Sequence, residues 1–198
     1  MLVLPTFASP VELHTRRCVL RRWQDSDLVP WAQMNADPEV RRYFPEVLDA
    51  ERAGAEASRC RDAIAQHGWG MWALEIPGEL RFAGFVGLNV PHFDAPFVPA
   101  VEIGWRMARA AWGRGFATEA AQAALDFAFD RLALGEVIAM AVPTNAASRR
   151  VMDRLGMRRD MSGNFDHPRV PSSHRLCRHV LYRTAAPARS PAATSGNV

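Results

Sequence analysis

The densest chemical signal in the chain is the run Trp112-Gly113-Arg114-Gly115-Phe116-Ala117-Thr118-Glu119-Ala120. Two glycines separated by one residue let the backbone turn tightly and approach a ligand with no Cβ in the way. The run follows a strand pattern and opens a helical one. The first helical N–H groups therefore lack an internal partner and sit at the positive end of the helix dipole. Such a place suits a phosphate group, which makes Gly113, Arg114, Gly115, Phe116, Ala117 and Thr118 the candidate anion-binding loop. A second polar run, Asn145-Ala146-Ala147-Ser148-Arg149-Arg150, follows a later apolar stretch. Asn145 is placed to cap the helix it opens and to meet a ligand from the same position.

Other chemistries are thinly supplied. The six histidines form no H-x-x-x-H cluster, and Cys18, Cys60 and Cys177 have no metal-ligand spacing, so no metal centre is expected. Three widely spaced cysteines read as buried, reduced thiols. The chain has 24 basic residues, all arginine, against 21 acids, for a net charge of +3. The charge is uneven: residues 149–198 hold 10 Arg and 3 acids, residues 1–148 hold 14 Arg and 18 acids. A basic C-terminal third suits an anionic cofactor. The alternation of aromatic and basic residues that makes a nucleic-acid stacking surface is missing, which argues against nucleic acid as a partner. No run approaches the ~20 apolar residues of a membrane span, and residues 1–10 make a poor signal peptide. A cytoplasmic protein without membrane contact is expected.

The elements that must position these motifs alternate along the chain. Val19–Arg22 reads as a strand and Asp25-Ser26-Asp27 as a helix start, with a helix near Leu28–Asn35 that Asp37-Pro38 ends. A second helix runs over about Asp49–His67 and stops at Gly68. Met71–Ile76 and Phe82–Val90 form an antiparallel pair around Gly78. Val101–Met107 is a further strand. Phe116–Leu132 is an amphipathic helix with Ala120, Ala124, Phe127 and Leu132 on one stripe. Val137–Val142 reads as a central strand, Ala146–Leu155 as a short helix stopped by Gly156, and Leu176–Tyr182 as a last strand. The pattern predicts an α/β domain with a mixed sheet over residues 13–184, after a lead-in at 1–12. Residues 185–198 lack apolar periodicity and read as a disordered tail.

Together these segments resemble the GNAT superfamily of acetyltransferases, whose phosphate loop runs Q/R-x-x-G-x-G/A. Gly115 and Ala117 match its last two fixed positions, while Trp112 stands where the pattern has Gln or Arg. The strings Glu102-Ile103-Gly104-Trp105, Gly115-Phe116-Ala117-Thr118-Glu119-Ala120 and Asn145-x-x-Ser148 are similar to the Rim-type branch, the ribosomal-protein N-terminal alanine acetyltransferases. So are Leu20-Arg21-Arg22-Trp23-x-x-Ser26-Asp27-Leu28 and Asp37-Pro38-Glu39-Val40. The likeness spans about Leu13 to Arg183. It implies a mostly antiparallel central sheet of about seven strands with about four helices. It also implies acetyl-CoA as cosubstrate and a primary amine, of a small molecule or a protein N-terminus, as acceptor. Trp105 and Met107 would then lie beside the pantetheine arm, and a homodimer is compatible with the resemblance.

Acetyl transfer to an amine requires a proton acceptor, because an ammonium of pKa ~10.4, or ~8 for an α-amine, is mostly protonated at pH 7. It also requires a donor to the carbonyl oxygen and a proton source for the leaving thiolate. The resemblance sets Glu102 beside the thioester as candidate base, acting through water, with a backbone N–H of its strand polarising the carbonyl. Many family members carry a tyrosine acid on the helix after the Asn motif. Tyr43 and Tyr182 lie elsewhere, which leaves Ser148 as the candidate donor to sulfur. His167, on a late loop, borders the expected acceptor pocket of Asp37–Phe44, Trp69–Trp72 and Gly163–Ser173. A noncatalytic acyl-CoA sensor and a nucleic-acid binder remain the competing readings.

Overall fold

In the computed structural model, which describes residues 2–187, the elements in chain order are β1 (Leu13–His14), β2 (Val19–Arg21), α1 (Leu28–Ala36), α2 (Ala50–His67), β3 (Met71–Ile76), β4 (Leu80–Asn89), β5 (Glu102–Met107), α3 (Phe116–Asp130), β6 (Glu136–Ala141), α4 (Ala146–Arg154), β7 (Arg158–Asp166) and β8 (Arg178–Ala185). The strands form one sheet in the order β1-β2-β3-β4-β5-β6-β8-β7. Every pairing is antiparallel except β5 with β6. That parallel step is the one that needs a crossover, and α3 supplies it.

The local causes are ordinary ones. Asp49 caps α2 by accepting the Arg52 N–H at 2.8 Å, and Gly68 ends it in the left-handed region at φ 80°. Ala53, Ala57 and Ile64 bury the inner stripe of α2, and Ala120, Ala124 and Phe127 that of α3. Trp72 meets Phe127 edge-on at 5.5 Å, so that face of the sheet belongs to α3. Arg106 reaches Asn35 on α1 and Glu56 on α2, so the opposite face belongs to those helices. Alternation along β5 then divides its side chains. Ile103, Trp105 and Met107 point to the α3 face, and Glu102, Gly104 and Arg106 to the α1/α2 face.

Three boundaries differ from the sequence pattern. The sheet has eight strands, since residues 13–14 add a short edge strand and β7 is complete. β7 runs Arg-Arg-Asp-Met-Ser-Gly-Asn-Phe-Asp with no buried residue, so as an edge strand it shows no alternation to read. β8 starts at Arg178 rather than Leu176 and continues to Ala185, which pairs with Glu136. The Ala186 N–H donates to Gly135 O at 3.0 Å. Residues 185 and 186 are therefore held by the sheet instead of beginning the tail, and residues 188–198 lie outside the described part. The lead-in is also docked. The indoles of Trp69 and Trp72 donate to Pro5 O and Val11 O at 2.9 and 2.7 Å, and the Phe7 ring lies 5.6 Å from Phe127.

Candidate active site

β5 and β6 touch at a single register position, Glu102 opposite Ile138. The Ile138 N–H donates to Val101 O at 2.9 Å, and the two strands then diverge, leaving a wedge that opens toward their C-terminal ends. Val101 turns its carbonyl to β6, so by alternation residues 103, 105 and 107 present their main-chain N–H and C=O groups to the wedge. Trp105 and Met107, expected beside a pantetheine arm, thus offer backbone groups that the ladder does not use. The Met107 carbonyl is already partnered, because the Trp112 indole donates to it at 2.8 Å. Trp112 has a structural task here, pinning the turn that leads to α3. The carboxyl ends of parallel strands are where α/β sheets characteristically take ligands, and both helices that leave this wedge, α3 and α4, begin there.

The Gly113–Thr118 loop forms the mouth of the wedge. Gly113 and Gly115 hold φ of 73° and 82°, left-handed values that a side chain strains. Gly115 is the N-cap of α3 and contributes no side chain, so the first-turn N–H groups are left for a ligand. Phe116 is buried at 2% exposure; it can offer its N–H, while its ring lies beneath the guanidiniums of Arg17 and Arg114. Arg114 ion-pairs with Glu79 at 2.7 Å. Glu119 on α3 accepts from Arg17 Nε at 2.7 Å, a clamp on this loop from the β1–β2 turn that no local sequence pattern carries, because the two residues are 102 positions apart.

Glu102 sits at the apex of the wedge, half-buried and on the α1/α2 face. Burial pushes its carboxyl up to about 7, against a lowering contribution from the Asn89 side chain directly opposite in the ladder. A carboxyl near 7 is well matched to accepting a proton at neutral pH. Asn89 belongs to no motif; only the β4–β5 register brings it to Glu102. Beyond Glu102 the same face carries no side chain at Gly87 and Gly104, which pair in the ladder, and the Met71 side chain covers Gly104. A Cβ on Gly104 would come within 3.2 Å of the Met71 methyl.

The remaining candidates divide. Asn145 caps α4, its Oδ1 accepting the Ser148 N–H at 3.1 Å. Ser148 lies half-buried in the first turn of α4, on the β6 side of the wedge. His167 packs at tilted angles among the rings of Phe93, Phe165 and His179. Burial, with His179 and Arg169 nearby, pushes its imidazole down to about 4, so it is a poor base at neutral pH. Within the Trp69–Trp72 segment the two indole residues are 4% and 0% exposed in the core, while Met71 lies over Gly104 on the Glu102 side of the sheet. In the loop after α1, Phe44 lies between Arg41 and Arg106, each guanidinium 4.3 Å from the ring centre. Burial and the Arg106 charge lower Arg41 to about 10. The loop after β7 reaches this rim through Arg175, which donates to Arg42 O at 3.3 Å. Among the described residues no group of three His, Cys, Asp or Glu is placed to hold a metal, and no helix is long and apolar enough to cross a membrane.

Comparison with known proteins agrees with this architecture. The acetyltransferase (GNAT) domain matches residues 17–158. The chain is 31% identical over 147 residues to protein YkkB of Bacillus subtilis (strain 168), covering 74% of this chain and 84% of that protein. A GNAT-family acetyltransferase from Bacillus anthracis superposes with a TM-score of 0.72 at 25% identity, over 88% of this chain and 98% of the other. Mycobacterium smegmatis RimJ in complex with CoA-disulfide shares the fold with a TM-score of 0.70 at 23% identity, over 89% and 88% of the two chains. The divergent parallel strands, the glycine loop between them and the family match over most of the chain lead to one conclusion: the protein belongs to the GNAT acetyltransferase family, whose members move an acetyl group from acetyl-CoA to an amine.

Proposed function

We propose that the protein acetylates a primary amine, of a protein N-terminus or a small molecule, by direct attack with both substrates bound. The observation that carries this reading is the wedge itself. One parallel contact at Glu102 joins β5 to β6, and the strand that carries this carboxyl runs from that contact into the turn that opens the α3 N-terminus.

The residues present suit acetyl-CoA. The N–H groups of Gly115 to Thr118 and the Cβ-free turns at Gly113 and Gly115 fit a pyrophosphate, and the β5 edge at Trp105 and the Met107 N–H fit the amides of a pantetheine arm. When bound, acetyl-CoA supplies the activated acetyl thioester. Glu102 accepts the proton of the incoming ammonium, directly or through one water. A backbone N–H on the wedge edge of β5 stabilises negative charge developing on the carbonyl oxygen. Ser148 donates toward the sulfur. Asn145 fixes the turn that presents Ser148. Holding amine and thioester together across the apex supplies much of the acceleration. The Rim-like strings favour a protein N-terminus among acceptors, and its α-amine, with pKa near ~8, asks less of the base than a lysine does.

The test is acetyl-CoA-dependent release of free thiol against a panel of N-terminal peptides and small amines, with a thermal shift by acetyl-CoA alone as the binding control. Binding without thiol release for any amine would make the chain an acyl-CoA sensor and refute the proposal.

A further inference from the structure

The turn between β1 and β2 lies outside the glycine loop motif, yet it is bolted to it. Glu119, in the first turns of α3, accepts the Thr15 hydroxyl at 2.7 Å and the Arg17 backbone N–H at 2.8 Å on Oε1. Its Oε2 accepts Arg17 Nε at 2.7 Å. Burial acts to raise this carboxyl, but the hydrogen bonds from Thr15 and Arg17 outweigh it and hold it below the usual range. Both carboxylate oxygens are therefore spent on the turn. Arg17 Nη1 donates to Arg114 O at 3.1 Å, inside the loop. The remaining nitrogen, Nη2, stands 3.5 Å from where a Cβ of Gly115 would be.

Two guanidiniums, of Arg17 and Arg114, also lie 4.7 Å from the centre of the same Phe116 ring. The Arg114 charge is answered by Glu79. The Arg17 charge is answered along its Nε edge, and its Nη2 edge stands beside Gly115, the N-cap of α3. Guanidinium geometry offers parallel donors to a phosphate, and such charge-assisted bonds are stronger than neutral ones.

We infer that Arg17 is a binding residue for the pyrophosphate of the acetyl donor, supplying from the β1–β2 turn a second cation beside the Arg114 that the loop itself carries. The inference rests on the reading of Gly113–Thr118 as the donor's phosphate site. The Nε–Glu119 and Nη1–Arg114 bonds fix the guanidinium plane, so Nη2 is oriented before the ligand arrives. Arg17 also ties the left-handed Gly115 turn to the sheet edge, which makes it a positioning residue for the loop.

Calorimetry with CoA on wild type, Arg17→Ala and Arg17→Lys tests this, with melting temperature confirming that each variant is folded. Arg17→Ala is expected to weaken CoA about 10- to 100-fold, the usual loss for a hydrogen bond to a charged group. Arg17→Lys should recover part of that loss. Repeating the titrations across salt concentration separates charge from structure. Affinity of the Ala variant should fall less steeply with added salt than that of wild type, because one screened attraction is gone. 3′-Dephospho-CoA should show the same loss as CoA. An unchanged affinity, a loss with an unaltered salt slope, or a loss that disappears with 3′-dephospho-CoA would each overturn the assignment. Failure of wild type itself to bind CoA would refute the loop reading instead.

Discussion

At the residue scale the decisive group is Glu102, because its environment and its proposed role make opposite demands on pH. Its folded pKa is raised to about 7 from an ordinary carboxyl value near ~4.3. The protonated form is therefore favoured by the fold, and the stability it brings is complete below pH ~4 and lost as pH rises through 7. As a base, by contrast, Glu102 works only when ionised. Turnover should thus rise with pH through about 7. Glu102→Gln should remove that inflection and lower turnover roughly 10²–10⁴-fold at pH 7 with CoA affinity little changed. The same variant should melt higher than wild type by about 2–6 °C at pH 8 and equally at pH 4. Rates and melting curves over pH 4–9 check both halves. Retention of wild-type turnover at pH 7 would remove Glu102 from the mechanism. Ser148→Ala should cost less, since a thiol with pKa near ~8.5 departs readily as thiolate.

At the scale of elements, glycines decide which strands and helices can meet, and they do so in two ways. Gly115 has the proposed ligand role: its φ of 82° and its place at the N-cap of α3 put no side chain at the helix terminus. Gly115→Val should abolish measurable CoA binding in calorimetry while circular dichroism stays native, because the branched side chain enters the approach to the N–H groups. Gly84 serves the sheet. It has φ 125°, and a Cβ there would stand 2.1 Å from Arg106 O on β5, a contact with backbone that cannot move aside. Gly84→Ala should therefore destabilise the fold by more than ~2 kcal/mol, read as a lowered urea midpoint. A near-wild-type midpoint would mean that the β4–β5 ladder is not as close as described.

For the whole molecule, the ends of the chain carry unequal weight. The lead-in gives Trp69 and Trp72 their acceptors and packs Phe7 on Phe127. Removing residues 2–11 should uncover two buried indole N–H groups and an aromatic contact, lowering stability by about 3 kcal/mol or more. Ending the chain after Pro187 should leave melting temperature and thiol release nearly unchanged, because the removed sequence has no apolar stripe to bury. A cut before Ala185 is a different matter, for it breaks the pairing with Glu136 and the bond from Ala186 to Gly135.

The sequence by itself determined the local events. Asp49 and Gly68 bound α2, the Ala120–Phe127 stripe marks α3, Gly113 and Gly115 prepare a helix N-terminus, and Asn145 caps α4. Each of these depends on neighbours within a few residues, where capping, backbone freedom and periodicity act. The tertiary structure alone decided what those elements enclose. No local rule announces that β5 and β6 touch once and part, because divergence depends on helices packed on both faces of the sheet. The opposition of Asn89 to Glu102, the clamp of Arg17 on the Gly115 turn and the burial that raises Glu102 are contacts between distant segments. Trp69 and Trp72 show the same limit from the other side. An aromatic residue on or just before a strand is equally suited to a pocket wall or a core, and only what packs against it, here the lead-in and, for Trp72, α3, settles which one it becomes.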